Sequence, residues 1–363
     1  MKILILGNGF DLAHGLPTRY KDFLKFVEVV LADNSTLQDL KEQLKKLSKD
    51  RLKGITTVFA PDRIDEFHKK LKNNVWYYYL KKLGKIGENW SNIEEEISII
   101  IKILENNHEV LYQDFSELSK SICKNIKIDE DKKKFNLFTE SYIQRCKDTK
   151  RKLSDIKRLQ ERSFNDLKRF IRTFEIYLED VIEPNIPKIR RLPFFDVNRF
   201  DYVISFNYTY TYEKIYGIDS TRICHVHGVC KDSKKSNIVI GIGDYASKKK
   251  GNSNFTIFKK TAQVLQNHND MQYVSWQEAI EKNGDFVDVY IYGHSLDLAD
   301  KYVLESFLDS EYTKVHIYCH TDTSQQRLVD NLNSLIGEDR VKEKSITNPS
   351  MIEFRSTGRG ASA

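Results

Sequence analysis

The chain opens on a short apolar run, KILIL (residues 2–6), that stops abruptly at Gly7-Asn8-Gly9, and no run of the same texture returns until residue 201. A lone strand has no stability away from a sheet. Residues 2–6 must therefore pair with strands far downstream, and whatever lies between is an insertion. The downstream runs are DYVISF (201–206), RICHVH (222–227), NIVIGIG (237–243), FVDVYIYG (286–293), TKVHIYCH (313–320) and MIEF (351–354). Helical patterns at 272–283 and 299–309 separate some of them, which predicts a largely parallel sheet covered on both faces. The expected fold is Rossmann-like α/β, built from residues 1–33 plus 196–355. A helical insertion is expected over 34–195 and an unstructured tail over 356–363. A separate helical N-terminal domain would leave strand 2–6 without a partner.

The insertion reads as helical almost throughout. A helix is predicted from Tyr20, and apolar residues recur at three and four spacing over 62–83, 92–105 and 150–183. In the last of these the stripe includes Leu153, Ile156, Leu159, Leu167, Phe170, Phe174, Leu178 and Val181, and Pro184 and Pro187 are expected to end it. Ser35 with Gln38, and Ser91 with Glu94, have the spacing of capping boxes. The formal charge of +6 is modest for 363 residues, and lysine-rich helices are usually just solvated, so nucleic acid is not expected as a partner. No apolar run approaches 18 residues, and the one at the start is too short for a signal peptide, so a cytoplasmic protein without membrane contact is expected. The five cysteines are scattered with no CxxC pair, which disfavours structural zinc or a disulfide framework.

A strand that ends in Gly-x-Gly and turns toward a helix can bring backbone N–H groups close to a phosphate. Gly7 and Gly9 fit that device, but Gly15 comes too late for the G-x-G-x-x-G of a dehydrogenase, and no ribose-binding acid follows a second strand. Hydride transfer is therefore disfavoured. Gly15-Leu16-Pro17-Thr18 breaks the chain again before the first long helix, where a loop could cover a bound nucleotide.

Two further constellations sit at strand ends, where open parallel sheets present ligands. In SFNYTYTYE (205–213), Asn207 follows a strand; in HVHG (225–228), His225 and His227 alternate with apolar residues and so should face one side. A carboxamide and an imidazole so placed can orient a sugar hydroxyl or a water and take its proton. H-x-H can also bind metal, but no third ligand stands at a convincing spacing, and no metal is expected. In YGHSLDLADKYVL (292–304), Gly293 and Ser295 suit a ribose or phosphate contact, while Asp297 or Asp300, Asp300 above all, is expected to cap the following helix.

In this order the elements resemble the sirtuin superfamily: GNGFDLAHGLP its glycine loop and later Gly-Ile-Pro, SFNYT the segment carrying its Asn, HVHG its catalytic His-Gly, and YGHSL its late Gly-x-Ser loop. GNGFDLAHGLPTRYKDFL, the helical middle and YGHSLD together resemble more closely the AbiH family of bacteriophage abortive-infection proteins. The zinc-binding cysteine pairs of sirtuin deacylases are missing, and Asp11 replaces a small hydroxyl residue, so the resemblance implies NAD hydrolysis rather than deacylation. It implies a sirtuin-type core with NAD as substrate, Asn207 and His227 as catalytic residues, and nucleotide contacts from Gly7, Asn8, Gly9, Phe10, Asp11, Pro17, Thr18, His225, Gly293, His294 and Ser295. An antiphage effector releasing nicotinamide and ADP-ribose follows, gated by a phage-derived or partner-protein activator or by homo-oligomerisation. The alternative is a non-catalytic module that binds a nucleotide or ADP-ribose.

Overall fold

A computed structural model of the chain describes residues 1–32, 36–49, 60–85, 92–107, 115–149, 156–192, 199–230, 237–244, 255–284, 286–347 and 349–357. Among these residues six strands form one all-parallel sheet in the order β3-β2-β1-β4-β5-β6. They are β1 (Lys2–Leu6), β2 (Tyr202–Ser205), β3 (Ile223–His225), β4 (Val287–Tyr292), β5 (Thr313–Cys319) and β6 (Ile352–Ser356). The N-terminal strand lies in the middle, with Leu4 opposite Val203 of β2 on one side and Tyr290 of β4 on the other. This Rossmann-like arrangement is the one the isolated opening strand requires.

The helices number α1 (Gly9–Ala13), α2 (Tyr20–Val30), α3 (Leu37–Leu47), α4 (Pro61–Leu71), α5 (Val75–Lys85), α6 (Ile93–Asn106), α7 (Phe115–Asn125), α8 (Asp129–Thr149) and α9 (Ile156–Tyr177). After β2 follow α10 (Thr211–Tyr216), α11 (Lys260–Asn267), α12 (Gln272–Asn283), α13 (Lys301–Asp309), α14 (Asp322–Ile336) and α15 (Glu338–Ile346). Alternation along β1 divides the core. Leu4 and Leu6 point into an apolar cluster shared with α2 to α9, while Ile3 and Ile5 point into another built with α12 to α14. The first cluster is rich in rings, with Phe23 touching Phe67, Phe170, Phe174 and Tyr177.

Several local expectations are corrected. The run 237–243 is buried but forms no strand of the sheet: its one ladder contact is an isolated bridge from Ile242 to Lys259. Its backbone groups go elsewhere, Val239 N–H to the His227 carbonyl and the Ile240 carbonyl to the Gln263 amide. Thr36 with Asp39 makes the capping box of α3, and Asn92 caps α6 by accepting from the Glu94 and Glu95 amides. Ser35 and Ser91 lie outside the described residues, as do Leu153 and the tail beyond Thr357. The α-helical part of the long stripe stops at Tyr177, widens into a π turn (Leu178–Ile182) and then tightens into a 3-10 turn that holds both prolines. Among the described residues no helix is long and apolar enough to cross a membrane.

Candidate functional site

The chain leaves β1 toward β2 and β3 on one side of the sheet and returns to β4 on the other. The carboxyl ends of β1 and β4 therefore diverge at a topological switch point, where open sheets bind their ligands. A cavity of about 700 Å³ opens there. Its floor comes from the strand ends: Gly7 after β1, Asn207 after β2, His227 after β3, and Gly293, His294 and Ser295 after β4. Helix α6 and the start of α2 wall one side, with Arg327 and Asn331 of α14 on another.

The glycines serve close backbone approach. A Cβ on Gly7 would stand 2.5 Å from the His294 Cα, and one on Gly9 would stand 2.6 Å from the Gly293 Cα. Gly293 takes φ +71°, and its own added Cβ would meet the Phe10 nitrogen at 2.4 Å. This contact consumes the amides expected to cradle phosphate. Gly7 N–H donates to the Tyr292 carbonyl (3.1 Å), Gly9 N–H to the Gly293 carbonyl (2.8 Å) and Phe10 N–H to the Gly7 carbonyl (2.9 Å). The glycine turn is a lock between β1 and β4, and those three amides are not free for an anion. Beside it the Thr18 hydroxyl donates to Asn8 Oδ1 at 2.5 Å, tying the loop before α2 to the cavity floor.

One wall of the cavity is built around Asp11. Asn207 Nδ2 donates to its Oδ1 (3.2 Å) and the Thr209 hydroxyl to its Oδ2 (2.7 Å), with Thr211 behind Thr209. All these partners are neutral. Burial outweighs their hydrogen bonds and pushes the Asp11 carboxyl up to about 7. The arrangement uses the Asn207 amide nitrogen and leaves its Oδ1 buried without a hydrogen bond.

The facing wall is built around Asp300. Lys260 Nζ lies 2.7 Å from Asp300 Oδ1 and 2.8 Å from Glu94 Oε2. His227 Nε2 stands 3.2 Å from Asp300 Oδ1 and His294 Nε2 3.3 Å from Oδ2. His294 Nδ1 accepts the Leu296 N–H at 2.9 Å, which fixes its tautomer. Burial opposes the charge on Asp300, but Lys260 first and then His227 hold it well below the usual carboxylate range. Burial and then the Lys260 charge bring His227 down to about 4, so its imidazole is neutral near pH 7. Its Nε2 is buried and, despite the nearby carboxylate, outside hydrogen-bonding geometry. Glu94, buried beside Asp300, is pushed up to about 7.

The structure thus brings together Gly7, Asn8, Asp11, Thr18, Asn207, His227, Gly293, His294 and Ser295 of the residues expected at the site. It places four elsewhere. Phe10 is fully buried against His14, Tyr212, Tyr216 and Tyr292. Gly9 and Pro17 line a separate, smaller hollow of about 320 Å³. His225 does not share a face with His227: it ends β3 with Nε2 2.7 Å from Glu213 Oε1, whereas His227 lies beyond the strand, where alternation no longer governs. Asp300 stands at the N-cap position of α13 as expected, but its side chain makes no capping hydrogen bond and turns to the buried cluster. Asp297 caps the 3-10 turn just before it (Leu298–Asp300), accepting the Ala299 N–H at 2.8 Å.

The sequence assigns no site role to Glu94, which it reads as part of a capping box, nor to Lys260 or Thr209. Lys260 carried one signal: it is the first residue of α11, where the helix dipole disfavours a cation. Glu94 sits in a Glu-Glu-Glu run that reads as an acidic first turn. Among the described residues no group of three or more His, Cys, Asp or Glu side chains is placed to hold a metal ion, and all five cysteines are free thiols.

Comparison with known families matches residues 3–320 to the family described as bacteriophage abortive infection AbiH. Comparison with curated proteins and with solved structures returned no match. The chain belongs to the AbiH family, which places it in phage abortive infection.

Proposed function

We propose that this AbiH-family protein is an NAD glycohydrolase that cleaves the nicotinamide–ribose bond at the β1/β4 crevice. The observation that carries the reading is a pair of buried polar atoms, Asn207 Oδ1 and His227 Nε2, which belong to residues lining one cavity and make no hydrogen bond. Unpaired buried polar atoms are costly and persist where a ligand completes them. The cavity volume of about 700 Å³ lies in the range of small-molecule sites, and the strand order is that of dinucleotide-binding sheets. Arg19, Lys102 and Arg327 also line it, supplying cations for a diphosphate in place of the consumed amides.

In this reading nicotinamide leaves with the electron pair of its bond to ribose C1′ and becomes neutral, so it needs no acid. The ribose passes through an oxocarbenium-like state, stabilised by the carboxylate of Asp300 and by Asp11 when ionised. Asn207 Oδ1 accepts a hydrogen from the attacking water or a ribose hydroxyl and fixes its place. The water oxygen bonds to C1′, and its proton passes to the His227 imidazole, which is neutral beforehand. The products are nicotinamide, ADP-ribose and one proton, released from His227 to solvent.

The test is chromatography of purified protein incubated with NAD, alone and with phage lysate as a source of activator. Nicotinamide and ADP-ribose in equal amounts support the reading. Tight NAD binding with no nicotinamide under either condition would replace it with a binding module.

A further inference from the structure

The Asp300 cluster contains more than the reaction as written requires. Lys260 is only 2% exposed, is clamped between two carboxylates, and reaches Asp300 on the same oxygen that faces His227. Burying a lysine is costly, and a buried pair seldom adds net stability over apolar packing. Its placement therefore calls for an explanation other than stability. Without a cation beside it, a buried carboxylate 3.2 Å from an imidazole would draw a proton onto that ring.

We propose that Lys260 is a positioning residue, the built-in counter-ion of Asp300, and that it keeps the His227 imidazole unprotonated and able to act as a base. Glu94 extends the device. It lies on α6, within the long helical segment between β1 and β2, so that segment holds the lysine in register with the strand ends. Asn92 adds a second tie, its Nδ2 donating to Asp297 Oδ2 at 3.1 Å. The groups facing His227 are Asp300, Lys260 and His294, with the rings of Phe206, Tyr208 and Tyr302 packed around it. Both tyrosines are held above their ordinary range by burial and stay neutral, so Lys260 is the one fixed cation in this set.

The inference rests on His227 acting as the base in the reading above, but its first readout needs no substrate. Full-length protein labelled at the histidine ring carbon is titrated by NMR, His227 being the signal lost in His227→Gln. Lys260→Met removes the cation, and Lys260→Gln removes it while keeping hydrogen-bonding capacity should the first variant fold poorly. In either neutral variant that folds by thermal melting, the His227 midpoint is expected to rise by about one unit or more. The acid limb of kcat for NAD cleavage should rise with it, at unchanged KM. Lys260→Arg should restore both toward wild type.

A His227 midpoint unmoved in a folded neutral variant overturns the proposal, whether or not NAD is cleaved. A midpoint that rises in protein that never cleaves NAD upholds the counter-ion role and discards the hydrolase reading instead.

Discussion

Two buried carboxylates face the same cavity under opposite electrostatics. Asp11 is held by an amide and hydroxyls and is pushed up to about 7, whereas Asp300 is held by a lysine and two imidazoles and stays well below the usual carboxylate range. Burial is similar, since both are less than a tenth exposed. The partners decide. Neutral donors do not repay the desolvation of a carboxylate, while one ammonium does. The contrast divides the labour of the site, for environments that drive two like groups apart mark the acid and base roles. The Asp300 wall is permanently charged and can stabilise a cation. The Asp11 wall titrates near neutral pH and holds Asn207 in place.

The largest effect that would sharpen this contrast is on stability. Asp300→Asn removes the carboxylate closest to Lys260 and leaves the ammonium with Glu94 alone, and a loss of about 3–5 kcal/mol is expected in denaturant melts. A loss below 1 kcal/mol would mean the pair is solvated. Asp11→Asn should act in the opposite sense. The native carboxyl binds its proton up to about pH 7, the unfolded one only up to about pH 4, so wild-type stability falls as pH rises through that window. The variant removes this dependence, a contribution of about 4 kcal/mol at most. Its melting temperature relative to wild type should therefore be higher at pH 8 than at pH 4. An equal difference at both values would show that Asp11 does not titrate there. Smaller is the effect at the mouth: Arg327→Gln should raise KM for NAD about tenfold with kcat kept, and an unchanged KM would remove Arg327 from the diphosphate site. Smallest is His225→Gln, paired with Glu213 outside the cavity, which should leave turnover within about twofold of wild type.

The same contrast explains what the sequence discloses. The apolar runs that became β1, β2, β4, β5 and β6 are legible because a buried parallel strand is continuous and bounded by glycine or polar residues. Asn207 and His227 are legible because they stand just beyond strand ends. The run 237–243 misleads because apolar texture reports burial, while strand formation depends on where backbone groups find partners. The Asp11 wall is partly visible, since its carboxylate lies in the glycine loop. The Asp300 wall is nearly invisible. Its members come from α6, α11 and three loop ends, and a charged residue on an amphipathic helix looks the same whether solvent or another charge faces it. Asp297 and Asp300 both suit a cap, and only the fold selects one of them.

The central claim is that the side chains of Asn207 and His227, each with a buried polar atom lacking a hydrogen bond, act on one ligand. Nicotinamide release by wild type, Asn207→Ala, His227→Gln and the double variant tests it in one cycle, at saturating NAD and with whatever activator the wild type requires. Each single change should lower turnover by about 10²–10⁴-fold, and the double should fall little further, because either loss disables the same step. Wild-type turnover in either single variant, or a double loss equal to the product of the two, would contradict it.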